Sequence, residues 1–563
     1  MNSLVLLVAA AVAFVFGYRF YSRLLALGVF RLGKDYSTAS SPRPATAEQG
    51  GFSRHLLLGH HLASLAAGAA VIGSVVSLIW GWVPAFLWVV VGTVVAAGTY
   101  GLGTLWLSLR YPGLNPAEIA ARLLGAPAYG LFALVAFLLL LIMNAACATL
   151  AAQLLSTHPA AVLPFWFIAA AGLVLGNFLR GREDFEIVPA TLIALTLVLM
   201  AVWLLGDFLT GFAAALPLET AASYFPFEVT IIWVLLLFLY GYHATRLPMW
   251  KLTRPRAYLT ALLLGVTLFI FYTAVAIDHP NLLAPEFRAV SGAPNMFPWL
   301  FVTLTSGAVA GFHLLVANAV TARQMNRETD ARYIGYGGAL GLGLLALSAI
   351  IIGATALPDV EAWNRRYASW ATLMDSHAVL EIYINGFARH AASLGLDPGF
   401  ARTLMAVVII GLLVATLETG LRAQKQLLAG VAEHLPSLLP AKEKGLIATA
   451  VGLSALLSLH DGHGRGGLTL WPLFGAADQI FAVLGFALLI LALRLRKRPV
   501  SAVLLPWLFL LVTANGGLAA QMTQWWSDSQ WILLMLGTLL MVTELGLIGL
   551  TLKALKTPTK VQT

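Results

Sequence analysis

Fifteen apolar stretches of about 20 residues run through the chain from end to end. A helix of that length crosses the ~30 Å hydrocarbon core of a bilayer, whereas the strands of a membrane barrel are about 10 residues long. Charged residues are 10% of the 563 residues and hydrophobic residues 60%, which is too little polar surface for a soluble protein. The sequence therefore predicts an all-α polytopic membrane protein with about 15 transmembrane helices. The stretches cover approximately residues 2–18, 56–79, 85–109, 129–155, 162–179, 187–213, 229–244, 257–277, 298–320, 333–356, 403–421, 445–459, 472–493, 501–520 and 531–551.

Basic residues between these stretches predict the orientation. If the N-terminus is outside, 28 of the 34 Lys and Arg residues fall in inside segments. Basic loops stay in the cytoplasm, so this asymmetry favours an outside N-terminus, a cytoplasmic C-terminus and an odd number of spans. The six basic residues left outside are Arg288, Arg365, Arg366, Arg389, Arg402 and Arg465.

Several function classes lack their sequence signatures. The absence of G-x-x-x-x-G-K-[ST] argues against a pump with its own ATPase, and the absence of H-E-x-x-H and G-x-S-x-G argues against an enzyme. The single cysteine, Cys147, excludes an intramolecular disulfide, and no metal site or cofactor is predicted. Basic residues in cytoplasmic loops explain the net charge of +9, so we expect no nucleic-acid partner. The expected partners are a small-molecule substrate and the lipid bilayer. A homo-oligomer is a further possibility.

Seven short motifs follow one another between about residues 18 and 485. They are Tyr21-Ser22-Arg23, Leu58-Gly59-His60-His61, Leu247-Pro248 with Arg254-Pro255-Arg256, Gly307 to His313, Asp330 to Gly337, Thr416-Leu417-Glu418-Thr419 with Arg422, and Trp471 to Gly475 with Gln479. In this order they resemble the carbon starvation protein A (CstA) family. The resemblance implies a bacterial inner-membrane secondary transporter, induced under nutrient limitation, that takes up peptides or pyruvate with protons. It also implies kinship with transporters built from two inverted five-helix repeats.

The chain departs from the family pattern at polar positions. The G-A-G-P that follows the histidine pair in the family reads Ala67-Gly68-Ala69-Ala70 here, and V-Q-D reads Thr99-Tyr100-Gly101. A family Glu is replaced by Leu342, and the Asn before Gln479 is Asp478. Two acids are lost within the membrane and one is gained, so the substrate and the coupling ion are not transferable from the resemblance.

The repeat scheme predicts three segments. Residues 1–55 form the first transmembrane helix and an inside linker, and residues 56–424 form the transporter core, with an outside loop at 357–402 that contains a helix around 371–394. Residues 425–563 form accessory helices and a short basic tail. The first apolar stretch lacks a basic segment before it and a clear cleavage site, so we expect it to remain as a span.

Within the core, the scheme pairs the stretch 56–79 with the stretch 229–244 in inverted orientation. Both carry glycine beside histidine, as Gly59-His60-His61 and as Gly241-Tyr242-His243. Close helix packing alone also explains glycine in membrane helices. The residues predicted to bind substrate are His60, His61, Gly68, Gly241, His243 and His313.

Coupling to H⁺, or alternatively Na⁺, requires acids or hard oxygen ligands within the membrane. Asp478, beside Gln479, is the favoured proton carrier, and Glu544 is a second buried acid. Thr305 and Ser306 could coordinate a cation, although such hydroxyls usually bond their own helix. Glu418 is a further candidate, for which an ion pair with Arg422, four residues later, is the structural alternative.

Together these features predict a secondary active transporter that imports a small nutrient, either a peptide or a pyruvate-like carboxylate, coupled to protons. A membrane nutrient sensor or scaffold that has kept a transporter-like fold is the alternative. The short tail, without a signalling domain, weighs against the sensor.

Overall fold

A computed structural model describes residues 1–33, 36, 53–66, 68–179, 184–215, 228–290, 292–304, 309–434, 437, 439–440 and 442–556. These residues form helices and no β-strand, which confirms the all-α prediction. The helices are α1 Ser3–Val29, α2 Arg54–Leu65, α3 Ala69–Trp80, α4 Trp82–Arg110, α5 Pro116–Leu124, α6 Pro127–Thr157, α7 Pro159–Leu179, α8 Asp184–Ala215, α9 Val229–Arg246, α10 Thr253–Asp278, α11 Met296–Thr303, α12 (residues 312–324, ending in π and 3₁₀ turns), α13 Arg332–Thr355, α14 Val360–Arg366, α15 Ser376–Ser393, α16 Pro398–His434, α17 Glu443–Leu459, α18 Trp471–Leu495, α19 Ser501–Ser527 and α20 Trp531–Lys556.

Twelve of the described helices are long and apolar enough to cross a membrane, and the number rises to 13 if the bent pair α2 and α3 counts as one span. The predicted number of about 15 is not confirmed. The stretch 298–320 is broken into α11 and α12, and α17, with 17 residues, is shorter than each of the twelve.

The helices differ in how deeply they lie in the bundle. The apolar part of α18 is fully buried and that of α16 is 89% buried, whereas the apolar parts of α1 and α8 are 28% buried. The apolar side chains exposed on α1, α8 and α20 need no protein partner in lipid, because hydrocarbon is their natural solvent. The centre of the bundle is therefore built around α16 and α18.

Two spans are interrupted near this centre. The helix axes of α2 and α3 differ by 54°, and α2 ends at Leu65 with Ala66 in a non-helical conformation. The second interruption separates α11, which ends at Thr303, from α12, which begins at Phe312. The stretch paired with α2 and α3 by the repeat scheme is the continuous helix α9. The five-plus-five repeat remains a prediction.

The predicted outside loop carries two helices, α14 and α15, of which α15 matches the expected helix around 371–394. It is fastened to the end of α6 by a hydrogen bond between His158 Nε2 and Glu381 Oε1, 2.8 Å apart. Burial alone would raise the pKa of Glu381, but the hydrogen bond with His158 and the charge of nearby His377 leave that pKa below its ordinary value.

Candidate functional site

A cavity of about 560 Å³ opens beside the two interrupted spans. Its upper wall is formed by the residues 369–376 before α15 and by the end of α19, both in segments that the sequence predicts to be outside. We call this cavity the vestibule. Its described polar and aromatic lining residues are Trp299, Thr303, Ser369, Trp370, Ser376, Trp471, Phe474, Gln521, Gln524, Trp525, Asp528 and Gln530.

The floor of the vestibule is the crossing of α3 and α11. A Cβ atom on Gly73 would lie 2.1 Å from the carbonyl oxygen of Thr303, so the two backbones touch directly. Only glycine permits this approach, because any side chain would have to displace a backbone carbonyl. Gly68, one of the predicted binding residues, starts α3 at the same interruption.

Asp478 and Gln479 lie one turn below the vestibule on α18, and both are fully buried. Asp478 Oδ1 accepts a hydrogen bond of 2.9 Å from the backbone N–H of Phe312, the first residue of α12. Gln479 Nε2 donates a hydrogen bond of 2.8 Å to the carbonyl oxygen of Phe301 on α11. These two adjacent side chains therefore hold both sides of the second interruption.

The two predicted histidines of α2 and α12 meet in the centre of the bundle. The ring centroids of His61 and His313 are 6.1 Å apart, and His61 Nδ1 is hydrogen-bonded to Thr321 Oγ1 at 2.9 Å. The ring of Tyr100, on α4, lies 6.2 Å from that of His313. Its hydroxyl donates a hydrogen bond of 3.4 Å to the carbonyl oxygen of Gly311.

His60 faces a different environment. It is buried, and Arg254, Arg256 and Arg422 all lie within electrostatic reach of it. These three arginines, which we call the arginine group, are buried as well. Their positions between the apolar stretches predicted that they were cytoplasmic loop charges. Arg422 instead donates to the carbonyl oxygens of Thr245 and Leu247, at 3.1 and 2.8 Å, and so closes the C-terminal end of α9.

Glu418 is the buried carboxylate beside the arginine group. Its Oε1 atom lies 2.9 Å from Arg256 Nε and accepts a hydrogen bond from the hydroxyl of Tyr240. The sequence spacing suggested Arg422 as its partner, but the structure gives it Arg256 of α10. An ion pair between helices fixes their relative position, which the predicted pair within one helix would not do.

Three predicted residues lie apart from this centre. His243 is exposed near the end of α9, and Gly241 packs against Leu421 of α16. Glu544 is buried between α19 and α20, where its Oε1 atom accepts a hydrogen bond of 3.2 Å from Asn515. Thr305 and Ser306 lie outside the described residues, so the cation site that they suggest stays a prediction.

Comparison with known proteins identifies the family of this chain. The profile of the carbon starvation protein CstA family matches residues 2–365 and 369–516. The peptide transporter CstA of Escherichia coli K12 is 29% identical over 91% of this chain and 80% of its own, and that of Mycobacterium tuberculosis H37Rv is 28% identical over 88% and 72%. The pyruvate/proton symporter BtsT of Escherichia coli K12 is 28% identical over 64% of this chain and 50% of its own. These relatives are named as transporters, in agreement with the prediction that the chain is a transporter and not an enzyme.

Proposed function

This chain belongs to the carbon starvation protein CstA family of bacterial membrane transporters, and from that premise we propose that it imports short peptides together with protons. The pyruvate-like carboxylate is the competing substrate class. In this proposal the N-terminus is outside and the vestibule is the entrance for substrate.

The observation that carries the choice of a peptide is the chemistry of the vestibule. Its volume of about 560 Å³ lies within the range of small-ligand sites and far exceeds the size of a three-carbon acid. Asp528 is the charged member of its described lining, and that lining contains no Lys, Arg or His. A small carboxylate anion would be repelled by Asp528 and would find no cation in this lining. The ammonium end of a peptide would be attracted by the same acid.

The neutral lining also suits a peptide. Gln521, Gln524 and Gln530 offer amide donors and acceptors to peptide groups. Four tryptophans, including Trp299 and Trp370, offer apolar surface to side chains and ring faces to an ammonium group, the latter contributing about 0.5–1 kcal/mol where exposed. Such a site binds many peptides through features that they share.

Uptake into proteoliposomes tests the substrate class. The full-length protein is reconstituted, and labelled dialanine, trialanine and pyruvate are supplied with and without an inward proton gradient. We expect the gradient to concentrate both peptides inside the vesicles and to leave pyruvate at its equilibrium level. Accumulation of pyruvate but not of the peptides would replace the proposed substrate class, and no accumulation of any of the three would favour the sensor.

The variant Asp528→Asn tests the vestibule itself. An exposed charge contributes about 1 kcal/mol, so we expect the KM for dialanine to rise about five-fold. Glu361→Gln removes an exposed acid of α14 that does not line the vestibule and serves as the matched control. Equal KM values for the two variants would contradict the role of Asp528.

A further inference from the structure

Three titratable side chains below the vestibule each hold a buried polar atom that has no hydrogen-bond partner among the described residues. The atoms are Asp478 Oδ2, His313 Nδ1 and His61 Nε2. Leaving such an atom unsatisfied costs roughly 1–3 kcal/mol, and a purely structural core pairs nearly all of them. His60 Nε2, next to His61, is a fourth such atom. Titratable groups with unpaired polar atoms therefore lie on α18, α12 and α2, as a proton route through the bundle would require.

The three side chains, which we call the series, lie on neighbouring elements in the centre of the bundle. Asp478 of α18 is bonded to the backbone N–H of Phe312, and His313 is the next residue of α12. The ring centroid of His61 of α2 lies 6.1 Å from that of His313. Rings at this separation can be linked by a bridging water, through which a proton can pass from one ring to the other.

We propose that Asp478, His313 and His61 conduct the coupled proton from the vestibule floor toward the inner side. This inference rests on the proposed function, since it supplies the route of the proton that drives import. Asp478 first takes a proton from the vestibule and becomes a neutral carboxylic acid. It then passes the proton to His313, leaving a carboxylate and an imidazolium. His61 accepts the proton in turn, and His313 is neutral again.

The surrounding groups determine where the proton stops. Tyr100 of α4 faces His313 and lies within electrostatic reach of Asp478. Beyond His61 comes His60, which the arginine group faces. A proton on His60 would add a positive charge beside Arg254 and Arg422, and beside Arg256, whose charge Glu418 balances. Like charges in a membrane core repel strongly, so a proton that reaches His61 is not passed on to His60 while the arginine group faces it.

The same route connects proton transfer to movement of the broken span. The hydrogen bond from Phe312 to Asp478 is charge-assisted while Asp478 is ionised, and such bonds are roughly twice as strong as neutral ones. Protonation of Asp478 thus weakens the attachment of α12 to α18. At its other end, α12 is bonded to His61 through Thr321. Proton position and helix position are consequently coupled.

The variant His313→Gln tests the route, because glutamine retains hydrogen bonding but does not titrate. His61 and His313 do not line the vestibule, so this proposal makes them proton carriers in place of the substrate ligands that the sequence predicted. In proteoliposomes with dialanine, we therefore expect His313→Gln to lose accumulation driven by the proton gradient, while exchange of labelled for unlabelled dialanine across the membrane stays within about two-fold of wild type. His61→Gln should behave alike. If either variant aggregates, Asp478→Asn replaces it, since the asparagine carbonyl can still accept from Phe312.

His390→Gln is the matched control, because His390 is also buried but is bonded to Thr355 of α13, away from the series. It should keep both accumulation and exchange. Normal accumulation by His313→Gln would overturn the proton route and leave peptide import standing. Loss of exchange in soluble His313→Gln and His61→Gln would make the histidines substrate ligands and also overturn it. Failure of the wild type to exchange dialanine would contradict the proposed function.

Discussion

A buried ion pair joins α10 to α16. Arg256 of α10 and Glu418 of α16 are fully buried, and their charged atoms lie 2.9 Å apart. Removing a charge from water is costly, so each ion depends on the other to offset that cost. Each charge therefore stabilises the fold only in the presence of the other. Removing one of them should lower the free energy of unfolding more than removing both.

We expect Glu418→Gln to lower the free energy of unfolding by about 3–5 kcal/mol, because it leaves Arg256 buried without its counter-charge. Thermal unfolding in detergent, followed by intrinsic fluorescence, measures the loss. The double variant Arg256→Met with Glu418→Gln should recover part of it, which gives a coupling energy between the two sites. Glu361→Gln breaks the exposed pair with Arg365 and should cost less than about 1 kcal/mol. Equal losses of unfolding free energy in Glu418→Gln and Glu361→Gln would show that burial does not determine how much an ion pair contributes to stability.

At the scale of elements, close contacts between glycines set the helix spacing. Gly101 of α4 and Gly335 of α13 face each other, and a Cβ atom on either would lie 2.5 Å from the other's carbonyl oxygen. Position 101, where the resemblance to the family predicts an acid, thus falls where two backbones touch. A side chain there would require the two helices to separate. The glycine at this position is therefore what permits the close approach of α4 and α13.

Gly101→Ala should be destabilising by about 1–3 kcal/mol, the usual cost of overpacking, because the methyl group must push α13 away. Gly265→Ala is the control, since a Cβ atom at that position of α10 meets no atom within 4 Å. The control should be neutral or slightly stabilising, as alanine restricts the unfolded chain more than glycine does. The melting temperatures of the two purified variants measure these effects. Equal shifts for Gly101→Ala and Gly265→Ala would show that α4 and α13 do not touch at position 101.

The sequence predicted the spans better than their interruptions. Length and hydropathy suffice to place a helix in a membrane, so α4, α6 and α18 lie close to their expected positions. The stretch 298–320 was predicted as one continuous span, although it contains Thr305, Ser306, Gly307 and Gly311, residue types that favour a helix less than Leu or Ala. The proximity of His61, His313 and Asp478 depends on how three helices pack, which no local pattern encodes. Arg254 and Arg256 were assigned to a loop because charge alone does not reveal burial.

At the scale of the whole molecule, the two sides of the bundle are unequal. The vestibule holds about 560 Å³, whereas a cavity at the opposite side, lined by Ser108, Asn318 and Arg323, holds about 20 Å³. Transport by alternating access requires each side to open in turn. In the proposed import cycle this arrangement would be the state that is open at the vestibule, with the arginine group and Glu418 joining helices away from it.

The direction of import depends on which side of the membrane the vestibule faces, and cysteine labelling tests this. Asp528→Cys at the vestibule and Lys442→Cys before α17 are both exposed, so differences in reactivity reflect the side of the membrane. The native Cys147 is buried and should stay unreactive, which makes the unmodified chain the background control. Because basic loops face the cytoplasm, we expect a membrane-impermeant maleimide to label position 528 in intact cells and position 442 only after permeabilisation. The reverse pattern would place the vestibule inside and turn the proposed importer into an exporter.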